Sequence, residues 1–207
     1  MRGEHYFSER PGARGGRRVF TASLRGQEVR LATEAGVFSR ARVDRGTELL
    51  VRHLEVGPGD RVLDLGCGYG VVGIVAARLA PEGRVVMVDV NERAVGLARE
   101  NLRANGIENA EVRQGDGFAA VAGERFDVIA LNPPVRAGNA VVHRLVEQAR
   151  DHLMGKGSFY VVGRTQQGVV RLAAKMAEIY GQVEEVAKGG GYRVYRARPG
   201  ERGGRGP

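Results

Sequence analysis

Between Arg61 and Tyr180 the chain alternates short strand-like runs with helical patterns, and this alternation confines it to βα units around a parallel sheet. The strand-like runs are Arg61–Leu65, Arg84–Asp89, Ala110–Gln114, Arg125–Leu131 and Ser158–Gly163. Helical patterns fill the intervals at Val71–Leu79, Glu92–Ala104, Gly138–Leu153 and Gln167–Tyr180. The last two strand-like runs break the rule. Gln182–Lys188 and Tyr192–Arg198 are separated only by Gly189-Gly190-Gly191, which leaves no room for a crossover helix, so they must be antiparallel neighbours. The expected fold is an α/β sheet of seven mostly parallel strands that ends in a C-terminal antiparallel hairpin.

Upstream, Arg18–Leu24 and Glu28–Thr33 alternate in polarity around Arg25-Gly26-Gln27 and read as a β-hairpin. Gly36-Val-Phe-Ser39 reads as a loop. Thr47–Leu54 carries Leu49, Leu50 and Leu54 at helical spacing and is stopped by Gly57-Pro58-Gly59. Residues 1–16, rich in glycine and arginine, are expected to form a flexible basic arm, and residues 199–207 a disordered tail. At 207 residues, the span 17–198 suits a single domain, with 17–56 as a hairpin-and-helix extension and 60–198 as the core.

That length can bury a core without staples. Cys67 is the only cysteine, so it forms no internal disulfide, and the scattered His5, His53, His143 and His152 argue against a metal site. No apolar run reaches the roughly 18 residues of a membrane span, and the N-terminus has no apolar stretch of a secretion signal. A soluble cytoplasmic protein is expected. The net charge of +8 attracts polyanions. Apart from Lys156, Lys175 and Lys188, every basic residue is arginine, which forks two donors onto a phosphate and stacks on bases. That bias suits RNA, although genomic GC content or a hot habitat would produce it as well.

The strongest local signal is Val62-Leu-Asp-Leu-Gly-Cys-Gly-Tyr-Gly70, a strand running through a glycine turn into a helix. Gly66, Gly68 and Gly70 let the backbone bend and approach a ligand, and the helix from Val71 is expected to present unpaired N–H groups. Gly68-Tyr-Gly-Val-Val-Gly73 also fits the dinucleotide pattern, with Asp89 at a suitable distance for a ribose. Asp64 decides between the readings. A carboxylate just ahead of the glycines repels a pyrophosphate but favours the cationic amino-acid end of S-adenosylmethionine, which has no phosphates. Asp89, at the end of the second core strand, can accept both ribose hydroxyls. Asp116, in Gln114-Gly-Asp-Gly-Phe118, can accept from the adenine amino group. Gly66, Cys67, Gly68, Gly70, Val90, Gly117 and Asn132 complete the expected cofactor contacts. Cys67 reads as a small packing residue, since no base is apparent beside it.

After the fourth core strand comes Asn132-Pro133-Pro134-Val135. Two prolines lock the backbone and remove two donors, which leaves carbonyls rigidly directed. An exocyclic amine conjugated to a ring has a delocalised lone pair and is a poor nucleophile. If the Asn132 side-chain oxygen and the Pro133 carbonyl each accept one of its N–H groups, the lone pair is localised towards an incoming methyl group, which is chiefly catalysis by positioning. Asn132, Pro133 and Pro134 are therefore the expected catalytic segment, with no catalytic histidine required.

These motifs resemble the small-domain (MTS) class I S-adenosylmethionine-dependent methyltransferases, a family that includes the catalytic half of bacterial 16S rRNA guanine-N2 methyltransferase C and stand-alone archaeal-type relatives. The resemblance runs from His5-Tyr-Phe-Ser-Glu9 to Gly190-Gly-Tyr-Arg-Val-Tyr195 and includes Gly36-Val-Phe-Ser39, Val43-Asp-Arg-Gly-Thr47 and the helix with His143-Arg144. It implies a Rossmann-like fold, S-adenosylmethionine as methyl donor and guanine N2 of ribosomal RNA as substrate, with ribosomal RNA or the small subunit as partner. Phe38 and Ser39 would border the cofactor pocket. Val135, Arg136, Phe38, Arg17 and Arg18 are the expected substrate contacts. Many amine methyltransferases carry Tyr or Phe where this chain has Val135, so a stacking platform worth about 1–3 kcal/mol per base must come from Phe118, Phe38 or Tyr69 or be absent. Two other readings remain at this point: methylation of a protein glutamine, and a non-catalytic RNA-binding module on the same scaffold.

Overall fold

Strands buried on both faces read as continuous apolar runs, and Val62, Leu63 and Leu65 place Arg61–Leu65 (β3) in that class. The computed structural model describes residues 16–34, 42–133 and 138–200, so all of the expected arm but Gly16 and most of the expected tail lie outside the described residues. β3 pairs in parallel with Arg84–Asp89 (β4) on one side and Phe126–Leu131 (β6) on the other. Ala110–Gln114 (β5) extends the sheet beyond β4, and Leu153–Arg164 (β7) beyond β6. Gly181–Gly189 (β8) and Tyr192–Pro199 (β9) form the antiparallel hairpin, with β9 inserted next to β7. The order is β5-β4-β3-β6-β7-β9-β8. This is the seven-stranded, mostly parallel Rossmann-like arrangement that the alternation predicts.

The helices Arg45–His53 (α1), Val71–Leu79 (α2) and Glu92–Ala104 (α3) cover one face of the sheet. Asn139–Asp151 (α4) and Val169–Tyr180 (α5) cover the other. The chain winds from β3 outward to β5 and then returns to β6, so its direction reverses between β3 and β6, where α/β sheets bind ligands. Leu65 pairs with Leu131, and Gly66 and Asn132 therefore leave the sheet side by side at that point.

The N-terminal hairpin, Arg18–Leu24 (β1) and Gln27–Thr33 (β2), is a separate two-stranded sheet. Two asparagines one turn apart, Asn101 on α3 and Asn105 at its C-cap, hold it. Asn101 accepts the Ala32 N–H (2.7 Å) and donates to the Ala32 carbonyl (3.0 Å), while Asn105 does the same for Arg30 (3.0 and 2.7 Å). Their amides thus imitate a neighbouring strand. Arg25 meanwhile donates to the carbonyls of Val51, Arg52 and Leu54 and closes the C-terminal end of α1.

Several boundaries move. α1 starts two residues before Thr47 because Asp44 caps it, accepting from the N–H groups of Gly46 and Thr47. β7 begins at Leu153 rather than Ser158, because Phe126 pairs with Leu153 across an irregular stretch. The strand β9 runs through Pro199 and the Gly200 N–H bonds the Tyr180 carbonyl (2.7 Å), so order extends past the expected start of the tail. A 3-10 turn at Gly117–Val121 was not legible in the hydrophobic pattern. Among the described residues, no helix is long and apolar enough to cross a membrane, and no group of histidine, cysteine and acidic residues could hold a metal ion.

Candidate active site

The glycine turn after β3 is tied to its own sheet. The N–H groups of Gly66 and Cys67 both donate to the Val88 carbonyl at the end of β4 (2.8 and 3.0 Å), and the Gly70 N–H donates to Cys67 (2.9 Å). Gly68 donates to Asp89 Oδ2 (2.8 Å), and Gly73, in the first turn of α2, to Asp64 Oδ2 (2.8 Å). The expectation of unpaired N–H groups at the start of α2 is corrected at Gly73, because Asp64 reaches across and caps it. A phosphate needs such donors free, and here those of Gly66, Cys67, Gly68, Gly70 and Gly73 are committed to carboxylates and carbonyls. Gly66 and Gly68 adopt positive φ (+71° and +56°), and no atom lies within 4 Å of where a Cβ would stand, so the turn stays open on its outer side.

The acids are correspondingly perturbed. Burial pushes the Asp64 carboxyl up from 3.8 to about 7, opposed by the Gly73 hydrogen bond and reinforced by the Asp89 charge. Asp89 is also raised, chiefly by burial, against the N–H groups of Asn91 and Gly68 on its two oxygens. Asn91 caps α3 through the Arg93 N–H (3.0 Å), which leaves Asp89 at the cleft rather than in the cap. Val90, beside it, is half-buried. The buried Cys67 thiol is held well above its usual value by burial and by both carboxylates, so it is protonated and packs as expected.

Asp116 precedes the 3-10 turn and is largely exposed; Arg144 of α4 donates to both of its oxygens (3.2 Å each). Gly117 has φ +58°, and a Cβ there would stand 2.8 Å from the Leu145 side chain, so α4 is packed directly on this turn. Phe118 is buried and stacked on His152 (centroids 4.5 Å apart), and Tyr69 is buried as well. Neither offers a free face to a base. Phe38 and Ser39 lie outside the described residues, as do Pro134, Val135 and Arg136.

Asn132 and Pro133, both half-buried, follow β6 directly. Asn132 Nδ2 donates to Thr47 Oγ1 of α1 (2.9 Å). Its Oδ1 has no hydrogen-bond partner among the described residues. Arg17 is drawn into an ion pair with Glu100 of α3, and Arg18 opens β1 in solvent. No described contact brings either to Asn132. The sequence reading gave no role to Thr47 or Asn101. Asn101 also donates to the Tyr69 carbonyl (2.8 Å), fixing the glycine turn from behind. Its position on the apolar face of α3, in step with Ala94 and Ala98, was the available signal. A wide groove at the opposite, amino edge of the sheet is lined by Arg52, Glu55, Asp60, Asp127, Lys156 and Arg198. It carries both signs of charge and is remote from these residues.

Residues 28–196 match the family described as methyltransferase small domain. The chain is 36% identical over 197 residues to the uncharacterized protein YbxB of Bacillus subtilis (strain 168), covering 94% of this chain and 98% of that protein. It is also 36% identical to ribosomal RNA small subunit methyltransferase C of Stutzerimonas stutzeri (strain A1501), covering 87% of this chain and 54% of that protein. Among solved structures, the T. thermophilus 16S rRNA N2 methyltransferase RsmC in complex with AdoMet and guanosine matches with a TM-score of 0.79 at 29% identity, over 92% of this chain and 52% of that chain. The chain thus spans nearly all of YbxB and about half the length of these two ribosomal RNA methyltransferases.

Proposed function

The chain belongs to the methyltransferase small-domain family, and from that premise we propose that it transfers a methyl group from S-adenosylmethionine to an exocyclic amine in ribosomal RNA, guanine N2 being the leading target. One observation carries the reading. At the switch point an acid-lined glycine turn, with the Gly68 and Gly73 N–H groups taken by carboxylates, stands beside an asparagine whose amide nitrogen is tied back, so that its oxygen is left for a substrate. The RsmC structure that the chain matches holds AdoMet and guanosine, which supports both halves of the proposal.

S-adenosylmethionine, when bound, supplies a methyl group on a positively charged sulfur. Asp64 would hold its ammonium end, Asp89 its ribose hydroxyls and Asp116 its adenine amino group, with Gly66, Cys67, Gly68, Gly70, Val90 and Gly117 shaping the pocket. An adenine at Asp116 must share that carboxylate with Arg144. Asn132 Oδ1 and the Pro133 carbonyl accept the two N–H groups of the target amine, which aligns its lone pair with the methyl group and stabilises the positive charge that develops on nitrogen. Pro134 keeps that carbonyl rigid. Val135, Arg136, Phe38, Arg17 and Arg18 would be RNA contacts, and the net charge of +8 favours such a polyanion.

The test is transfer of labelled methyl from S-adenosylmethionine to total RNA from cells lacking the gene, with 16S and 23S species separated and nucleosides identified by mass spectrometry. N2-methylguanosine is the expected product. Label in a protein band, or in a nucleoside not methylated on an exocyclic amine, overturns the proposal.

A further inference from the structure

A run of hydrogen bonds ends on Asn132 and touches no other proposed cofactor contact. At the surface, Arg164 Nε donates to the Tyr192 hydroxyl (3.0 Å), with its guanidinium lying over the ring. That hydroxyl donates to Asp44 Oδ1 (3.0 Å). Asp44 Oδ2 accepts the N–H groups of Gly46 (2.9 Å) and Thr47 (3.3 Å), which sets the first turn of α1. Thr47 Oγ1, buried in that turn, accepts from Asn132 Nδ2. Gly46 makes the seat for the tyrosine. A Cβ there would stand 2.7 Å from two ring carbons of Tyr192. Burial and the Asp44 carboxylate also raise the Tyr192 phenol, which keeps it a donor.

An asparagine amide presents an acceptor at one end and donors at the other. Turned over, Asn132 would aim its NH2 at the N–H groups of the target amine, and donor would meet donor. Only the bond to Thr47 distinguishes the two ends among the described residues. We infer that Thr47 is a positioning residue for the transfer: its hydroxyl, set by the Asp44 cap and the seated Tyr192, fixes the amide of Asn132 so that Oδ1 faces the amine. The inference rests on the reading of Asn132 as an amine acceptor.

The experiment compares Thr47→Val, Thr47→Ser, Tyr192→Phe and Asn132→Ala in the full chain, with ribosomal RNA from cells lacking the gene as substrate. Turnover, KM for RNA and calorimetric affinity for S-adenosylmethionine are measured for each. Thr47→Val is expected to lower kcat about 10- to 100-fold, the cost of a misplaced group, with cofactor affinity and KM little changed. Thr47→Ser should restore most of the turnover, and Thr47→Val should add nothing in an Asn132→Ala background. Tyr192→Phe, which leaves Thr47 intact, should give a smaller loss confined to kcat; it decides the matter should Thr47→Val fail to bind cofactor. Asn132→Ala inactive with Thr47→Val and Tyr192→Phe fully active overturns the inference alone. Asn132→Ala fully active overturns the underlying reading as well.

Discussion

The two halves of the cleft are built differently. The half proposed to hold the cofactor, from β3 to β4, is a local construction in which Asp64, the glycine turn and Asp89 bond one another within 26 residues of chain. The half proposed to accept the amine joins Asn132 to Thr47 across 85 positions, and Asp44 to Tyr192 across 148. One half is a folded motif, the other an assembly of three distant segments. Local motifs announce themselves in a sequence, whereas assemblies do so only after the fold has been drawn.

The sharpest way to break the comparison is to remove one polar side chain from each side. Asn132→Ala should cost about 10²–10³ in kcat, as for the loss of one aimed polar group, while cofactor affinity stays within threefold. Asp89→Ala should do the reverse and weaken calorimetric affinity by about 2–4 kcal/mol, from two charge-assisted hydrogen bonds. Equal losses in both parameters for both variants would mean that the halves do not divide the work. Asn101→Ala comes next, since it removes the side chain that bonds three backbone groups of β2 and the glycine turn. About 3 kcal/mol of stability should be lost, read as a fall in Tm of about 6–12 °C for a chain of this size. A change below 2 °C would remove the claim that the turn is held from behind.

A subtler effect is pH-dependent. Folding raises Asp64 from 3.8 to about 7, so the protonated form is the one the fold prefers. Its stabilising contribution is complete below about pH 4 and is lost as pH rises through 7. The ammonium end of the cofactor favours the ionised form instead. Wild-type protein without cofactor should therefore lose thermal stability from pH 5 to 8 while its cofactor affinity rises from pH 6 to 8. Asp64→Asn should flatten both trends, and an unchanged affinity profile in that variant would exclude Asp64 as the ammonium site. The smallest effect is expected for Arg144→Ala, because exposed ion pairs contribute about 0–1 kcal/mol. If Arg144 competes for Asp116, its removal should tighten cofactor binding slightly. Weaker binding would instead make Arg144 part of the pocket.

The mostly parallel sheet of seven strands, the terminal hairpin and the acids at the strand ends were legible because each depends on periodicity or on residues close in sequence. Asn132 was legible for the same reason, since the prolines mark it. Its partner was not. Thr47 sits in an apolar helix pattern, and only packing α1 across the end of β6 gives its hydroxyl a task. The Arg144 contact to Asp116 was hidden likewise, because α4 reaches the 3-10 turn only in three dimensions. Phe118, weighed as a base platform, is instead consumed by His152 in the core.

The bond between Asp44 and Tyr192 has a consequence for the order of events during synthesis. A growing chain can form the bonds of its glycine turn once β4 has emerged, but the bond that seats the first turn of α1 waits for the ninth strand. The support behind Asn132 is thereby completed only after β9 has been made, later than the bonds that hold the glycine turn.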